Sequence, residues 1–258
     1  MILGIDGLRL GARQRWGFLV AIALLITSCS TAEPPTAADA AVEPAPPTEV
    51  AVASDLTEGL PRLEGNATVE ITVGSRKITV EVDGGKAPIT AGNFVDLVEK
   101  GVYDGTIFHR VVRSPQPFVI QGGDPQSTDP NTPTNQLGTG SYIDAKTGEA
   151  RLIPLEILPA DAEAPVYGKT FPEAGVQATP ALPHRRGAVA MARSGVNTAS
   201  AQFYITLADV AFLDGDYAVF GYVTDGMDVV DDVQLGDVIS AAKVTAGADN
   251  LVLPETAE

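Results

Sequence analysis

A small closed β-barrel with helices over its ends is the architecture this chain predicts, and three observations carry it. Val69, Ile71 and Val73 alternate with polar residues, as do Ile78, Val80 and Val82, and Gly74-Ser75 separates the two runs. Further short apolar runs follow at residues 107–112, 119–121, 187–192, 203–207 and 219–223. Two segments carry apolar residues at helical spacing. Many short strands with only two helices leave few ways to hide strand edges, and closure into a barrel is the usual one.

Period-two alternation gives a strand one buried face, and a Gly-containing break between two such runs turns the chain back on itself. Residues 69–82 therefore predict an antiparallel hairpin. In residues 88–101, Phe94, Leu97 and Val98 fall on one helical face, with Thr90 as the expected N-cap and Gly101 as the stop. Met227, Val230 and Val233 mark the second helix. Residues 125–183 are rich in Pro, Thr, Asp and Gly and run longer than an ordinary loop, with a hairpin turn expected at residues 144–149.

The chain divides into four parts. Residues 1–28 read as an export signal: Arg9, Arg13 and Arg15 precede an apolar run from Trp16 to Ile26. Ile26-Thr27-Ser28-Cys29 also fits a bacterial lipobox, in which the Cys is diacylated and becomes the first mature residue, and Cys29 is the one cysteine of the chain. A plain signal peptide with an incidental Cys is the weaker alternative; a membrane span is the third, and a run this short does not cross a bilayer comfortably. Residues 29–65, dominated by Ala, Pro, Glu and Thr, predict a disordered, extended tether, because they cannot bury enough apolar surface to offset the entropy of ordering. Residues 66–246 form the folded domain, and 247–258 an acidic, loose tail.

The formal net charge is −16, and removal of residues 1–28 would leave 14 basic against 32 acidic residues. Such a surface repels phosphate backbones, which argues against nucleic acid as a partner. Two widely separated histidines and no cysteine pair give no zinc spacing, so no metal site is expected. Asp225, Asp228, Asp231 and Asp232 surround a helix start, where carboxylates complement the helix dipole. No glycine loop with phosphate-binding context appears.

Chemistry concentrates in Phe108-His109-Arg110-Val111-Val112 and, after a short Pro-containing insertion, in Phe118-Val119-Ile120-Gln121-Gly122-Gly123-Asp124. An Arg and a Gln are carried by apolar strand sequence toward a nonpolar pocket, the pattern of a site for one small apolar group. Met191-Ala192-Arg193-Ser194, Ala201-Gln202-Phe203-Tyr204-Ile205 and Phe212-Leu213-Asp214-Gly215 follow in order. Together these four blocks resemble cyclophilin-type peptidyl-prolyl isomerases over roughly residues 66–244. The resemblance implies a mostly-β fold, the cyclophilin-like eight-stranded antiparallel β-barrel capped by two α-helices.

The resemblance also implies roles. Arg110, Gln121 and Phe118 form the catalytic set. Arg110 donates to the prolyl nitrogen and so opposes the amide resonance behind a rotation barrier of about 18–20 kcal/mol; Gln121 orients the substrate carbonyl. Val119, Tyr204, Phe212, Leu213 and Tyr217 surround the proline ring, with Ala192, Arg193, Asn197 and Gln202 along the substrate backbone. Gly138-Thr139-Gly140 resembles the element that borders the site in that family. No cofactor is needed. Taken singly, each apolar residue of this set would more often be plain core.

Some positions depart from the family's best-known members. Phe212 stands where many have Trp and Tyr217 where they have His, which removes an indole donor and predicts weak cyclosporin binding. Arg193 replaces an Asn, Val119 a bulkier Met, and Tyr204 a Phe, whose added hydroxyl must find a partner or water. His109 is expected to be a satisfied structural residue and His184, beside Arg185 and Arg186, a solvated one.

The expected protein is an exported, lipid-anchored monomer facing a periplasm or an equivalent lumen. Its partners are proline-containing segments of exported client proteins, and its membrane attachment runs through Cys29. The alternative is a holdase that grips such segments with little turnover.

Overall fold

In the computed structural model, which describes residues 55–254, a two-residue strand β1 (Arg62–Leu63) leads into the predicted hairpin, β2 (Asn66–Val73) and β3 (Arg76–Asp83). The predicted signal peptide, Cys29 and residues 255–258 lie outside the described residues. Alternation sets the inner face: Ala67, Val69, Ile71, Ile78, Val80 and Val82 are all buried. Val73 pairs with Arg76 across Gly74-Ser75, and Gly74 takes a φ of +61°. Two-residue hairpins need such a left-handed residue to match the strand twist, and glycine adopts it without a Cβ clash.

Helix α1 (Pro88–Glu99) fills the sheet's concave side with Ile89, Phe94, Val95 and Leu97. Its start differs from expectation. Ala87, not Thr90, is the N-cap residue, and no local side chain caps it. Thr90 already lies inside the helix, where its side chain cannot take up the cap geometry. The cap comes instead from Glu156, whose carboxylate accepts from the Ile89 and Thr90 N–H groups at 3.1 and 2.8 Å and from the Tyr167 hydroxyl at 2.8 Å. Burial pushes the Glu156 carboxyl above the usual range while these donors oppose the shift.

The remaining elements are β4 (Arg110–Val112), β5 (Val119–Gly122), β6 (Glu156–Ile157), β7 (Val166–Tyr167), α2 (Phe171–Ala174), β8 (Ala188–Met191), β9 (Phe203–Thr206), β10 (Val219–Asp225), α3 (Met227–Asp232), β11 (Ile239–Ala246) and β12 (Leu251–Val252). Eight strands form one antiparallel sheet in the order β11-β2-β3-β10-β8-β9-β5-β4. The segments entering its two edge strands meet: Ile107 bridges Val238, the Gly105 N–H donates to the Ile239 carbonyl and the Ile239 N–H to the Thr106 carbonyl, both at 2.8 Å. The sheet thus curls into the expected barrel around Phe94, Tyr103, Phe203 and Phe220, whose rings contact one another at centroid distances of 4.8–5.5 Å.

The folded unit runs beyond residues 66–246 at both ends. β1 pairs with β12, placing two residues of the predicted tether and two of the predicted tail in a small sheet. Leu63 is fully buried. The Arg62 backbone lies so close to α1 that a Cβ on Gly92 would sit 2.6 Å from it.

Residues 125–183 leave the barrel and return to brace it. The turn at 144–149 forms as expected, closed by the Asp144 N–H on the Glu149 carbonyl. β6 and β7 make a hairpin, and Leu155, Ile157, Phe171 and Ala218 form a small second core. Among the described residues, no helix is long and apolar enough to cross a membrane.

Candidate active site

Strand register assembles one wall of the site. Arg110 of β4 lies opposite Gln121 of β5, and Gln121 opposite Tyr204 of β9. Directly paired residues on neighbouring strands project to the same side, so the three form one row across the sheet. Val119, two residues before Gln121, shares that side. The Arg110 Nη1 donates to Gln121 Oε1 at 3.4 Å, and its guanidinium carbon lies 5.6 Å from the Phe118 ring centroid. Gln121 Nε2 donates to Gln202 Oε1 at 3.2 Å, and Gln202 Nε2 to the Gly140 carbonyl at 2.8 Å.

Gln202 and Gly140 mark the border formed by Gly138-Thr139-Gly140, which Asp124 positions. Asp124 is fully buried; its Oδ2 accepts from the Gly138 N–H at 2.6 Å and from Gly140 at 3.3 Å, and its Oδ1 from Gln126 at 2.9 Å. A Cβ on Gly140 would fall 2.0 Å from Asp124 Oδ1, so this approach requires glycine.

Between these walls lies a cavity of about 480 Å³. Of the expected site residues, Arg110, Phe118, Val119, Gln121, Ala192, Arg193, Gln202, Tyr204, Leu213 and Tyr217 line it. Two do not. Phe212 is 71% exposed and stacks on Phe118 at the mouth, with centroids 5.7 Å apart. Asn197 turns away: it has a φ of +61° and its Oδ1 accepts from the Leu155 N–H at 2.9 Å, so it ties the 193–198 loop to the insert. Ser194, from the block at residues 191–194, lines the cavity as well; Ser141, Thr198 and Ser200 also line it and carry no sequence signal, since isolated hydroxyls in loop sequence look alike until folding brings them together.

The charged residues of the lining are Arg110 and Arg193, both cationic in a strongly acidic protein. Arg193 is held in place: its Nε and Nη2 donate to the Asp216 carbonyl at 3.2 and 2.5 Å, and its guanidinium lies 4.5 Å from the Tyr217 ring centroid. Arg110 is exposed, lines the cavity and, among the described residues, makes one long side-chain hydrogen bond.

The floor corrects the reading of His184. It is buried, at 1% exposure, because its ring bridges two partners: Nδ1 lies 2.7 Å from Asp214 Oδ1 and Nε2 lies 2.9 Å from the Tyr204 hydroxyl. The Tyr204 hydroxyl therefore has the partner it needs, behind the pocket. Burial holds the His184 pKa below the usual histidine value against the pull of Asp214, and pushes the Tyr204 phenol well above its own. His109 departs from expectation as well: among the described residues neither ring nitrogen has a partner in good hydrogen-bond geometry, although it packs near Gly138 and Gln202. Among the described residues, no cluster of His, Cys, Asp or Glu forms a metal site.

An antiparallel sheet curled into a barrel, with an Arg–Gln row above an aromatic-floored hollow, defines a cyclophilin-like protein. The chain belongs to the cyclophilin-type peptidyl-prolyl cis-trans isomerase family, whose model matches residues 68–250. It is similar to a Synechocystis protein named as a thylakoid lumen peptidyl-prolyl cis-trans isomerase, at 44% identity over 204 residues, covering 75% of this chain and 50% of that protein. An Arabidopsis chloroplastic isomerase, CYP38, is 36% identical over 214 residues, covering 76% and 46%. A Dictyostelium isomerase, cypE, is 36% identical over 168 residues, covering 65% of this chain and 83% of that protein. The chain thus spans about half the length of the first two relatives. The fold is shared with a crystal structure of a Cryptosporidium parvum cyclophilin, at a TM-score of 0.52 and 24% identity over 70% of this chain and 98% of that one.

Proposed function

We propose that this chain is a peptidyl-prolyl cis-trans isomerase acting on proline-containing segments of folding proteins. The observation that carries it is the single row of Arg110, Gln121 and Tyr204 across β4, β5 and β9, above a cavity of about 480 Å³ with room for a proline ring and its flanking peptide. The proline ring sits on Tyr204 between Phe118, Val119 and Leu213, while Gln121 holds the flanking carbonyl and Arg193 and Gln202 border the peptide. As the C–N bond twists, the prolyl nitrogen regains its lone pair and accepts from Arg110. The planar ground state offers that lone pair far less, so the bond strengthens only toward the transition state, which is where stabilisation raises the rate. An always-charged guanidinium keeps this donor at every relevant pH.

The export reading belongs to the same proposal: residues 1–28 direct the chain out of the cytoplasm, Cys29 carries the lipid, and residues 29–65 begin as a tether to a domain facing a periplasm or lumen. The lumenal and chloroplastic names of two relatives support a location of that kind. Mass spectrometry of the membrane-extracted protein tests the anchor; an unmodified Cys29, or cleavage elsewhere, overturns it.

The activity is tested by cis-trans isomerisation of Ala-Pro peptides and by refolding of a proline-limited protein, with Arg110→Ala alongside. Turnover that Arg110→Ala abolishes supports the reading. Full activity in that variant overturns the role of Arg110. Absence of turnover with retained aggregation suppression favours the holdase alternative, for which the long 125–183 region remains the argument.

A further inference from the structure

The inference deepens the isomerase reading and rests on it. We propose that His184 is a positioning residue of the proline pocket: it takes the Tyr204 hydroxyl as a donor on its Nε2, so that the pocket floor presents only the phenyl ring of Tyr204, and through Asp214 it ties that floor to the wall carrying Leu213 and Tyr217.

The hydrogen-bond bookkeeping leaves one arrangement. Asp214 Oδ1 already accepts from the His184 backbone N–H at 2.8 Å, and lies 2.7 Å from the ring Nδ1. An ionised carboxylate only accepts, so Nδ1 carries the hydrogen; burial favours the neutral ring, which then has a bare Nε2. Nε2 is then an acceptor, and the Tyr204 hydroxyl 2.9 Å away must donate to it. The two rings lie nearly parallel, at 13°. His184 is itself anchored, since its carbonyl accepts from the Val210 N–H at 2.8 Å. The hydroxyl hydrogen therefore points toward the 183–187 segment and away from the cavity, which meets an aromatic surface. Without His184 the hydroxyl has no acceptor on that side and turns its polarity toward the proline ring.

Other groups surround this relay. On the Tyr204 side, Tyr217 meets the Tyr204 ring edge-on with centroids 6.1 Å apart, and Arg193 covers Tyr217. On the His184 side, the Tyr222 hydroxyl donates to the Pro183 carbonyl under the Arg185 guanidinium, and Arg186 pairs with Asp231 and takes Asp209 on its backbone. Among the described residues, Asp214 is the one carboxylate bonded to the His184 ring.

The full chain has two histidines, so long-range nitrogen–proton NMR resolves both. The expected result at neutral pH is a His184 tautomer protonated on Nδ1, with an Nε2 resonance that moves in Tyr204→Phe. An Nε2-protonated tautomer overturns the proposal. Kinetically, His184→Ala raises the KM for an Ala-Pro peptide by about tenfold, as expected when a hydroxyl must be turned into an apolar pocket, with kcat largely kept. The same substitution made in Tyr204→Phe loses most of that rise, because no hydroxyl remains to misplace. A merely structural role predicts equal rises in both backgrounds, and that outcome overturns the proposal. Peptide dissociation constants for the four proteins, measured by NMR titration, separate this from the activity. Binding without turnover defeats the isomerase reading while the same non-additive pattern in Kd sustains the relay; additive effects, or no peptide binding, defeat the relay.

Discussion

The two sides of the pocket are built on opposite principles. Arg110, on the edge strand β4, is exposed and makes a single 3.4 Å side-chain bond. Tyr204, on the interior strand β9, is 5% exposed and its one polar atom is committed to His184, which is committed in turn to Asp214. A donor that serves a transition state must stay uncommitted in the ground state. A surface that grips an apolar ring must have no polar atom left to satisfy, because an unpaired buried hydroxyl is costly. The edge position of β4 suits the first need and the covered position of β9 the second.

The sharpest break in this contrast is Arg110→Ala. On the proposed mechanism, removing this donor to the prolyl nitrogen is expected to lower kcat by about 10²–10³, the range seen for loss of a transition-state donor. Because Arg110 is exposed, the melting temperature should barely move; a large drop in stability would mean that Arg110 is structural. Arg110→Lys keeps the charge but not the planar fork and should recover little of the rate.

Asp124→Ala attacks the border beside the Arg110–Gln121 row. It strips the acceptor from the Gly138 and Gly140 N–H groups; Gly138 is exposed and can turn to water, whereas Gly140 is buried, and an unpaired buried donor costs about 1–3 kcal/mol. Chemical denaturation should show a loss in that range together with a raised KM, since Gly140 carries the carbonyl that orients Gln202. An unchanged midpoint would show that water replaces the carboxylate.

The third test is pH. The His184 pKa is lowered in the folded protein, so between that value and the ordinary ~6.5 the unfolded chain binds more protons than the native one. Stability therefore rises with pH through this window and is lost as the pH falls through it, by at most ~1.4 kcal/mol per pH unit for each such group. His109 is shifted in the same direction by burial and contributes the same sign. A stability–pH series on the protein and on His184→Gln should show the slope reduced in the variant; equal slopes would assign it to other groups.

Phe212→Ala is expected to do least. The ring is mostly exposed and only stacks on Phe118 at the mouth, so stability should shift within ~0.5 kcal/mol, as for most surface changes. The KM for peptides with a bulky residue beside proline should rise modestly, and a loss as large as that of Arg110→Ala would place Phe212 inside the working pocket.

Much of this contrast was legible along the chain and some was not. The row of Arg110 and Gln121 could be read because both strands carry local apolar pattern and lie eleven residues apart. Asp124 and His184 could not, because their meaning depends on partners fourteen to thirty residues away in loops with no periodicity. His184 between a proline and two arginines looked solvated, and Tyr204 looked like a liability; each accounts for the other once β9 is laid beside the 183–187 segment. The same holds for α1, where an expected local cap gave way to Glu156 from the far side of the insert.

What the amino-acid order determined by itself was whatever a few neighbouring residues decide: the alternation that buries one face of β2 and β3, the glycine turn between them, the helical spacing of α1, and the motif blocks that place an Arg, a Gln and an aromatic floor on successive strands. What only the tertiary structure decided was every pairing between distant polar groups, the β1–β12 clasp, the Glu156 cap and the Asp214–His184–Tyr204 relay among them. Local pattern reports which surfaces avoid water, whereas a hydrogen bond needs two particular atoms within about 3 Å, a condition that exists only after the whole barrel has closed.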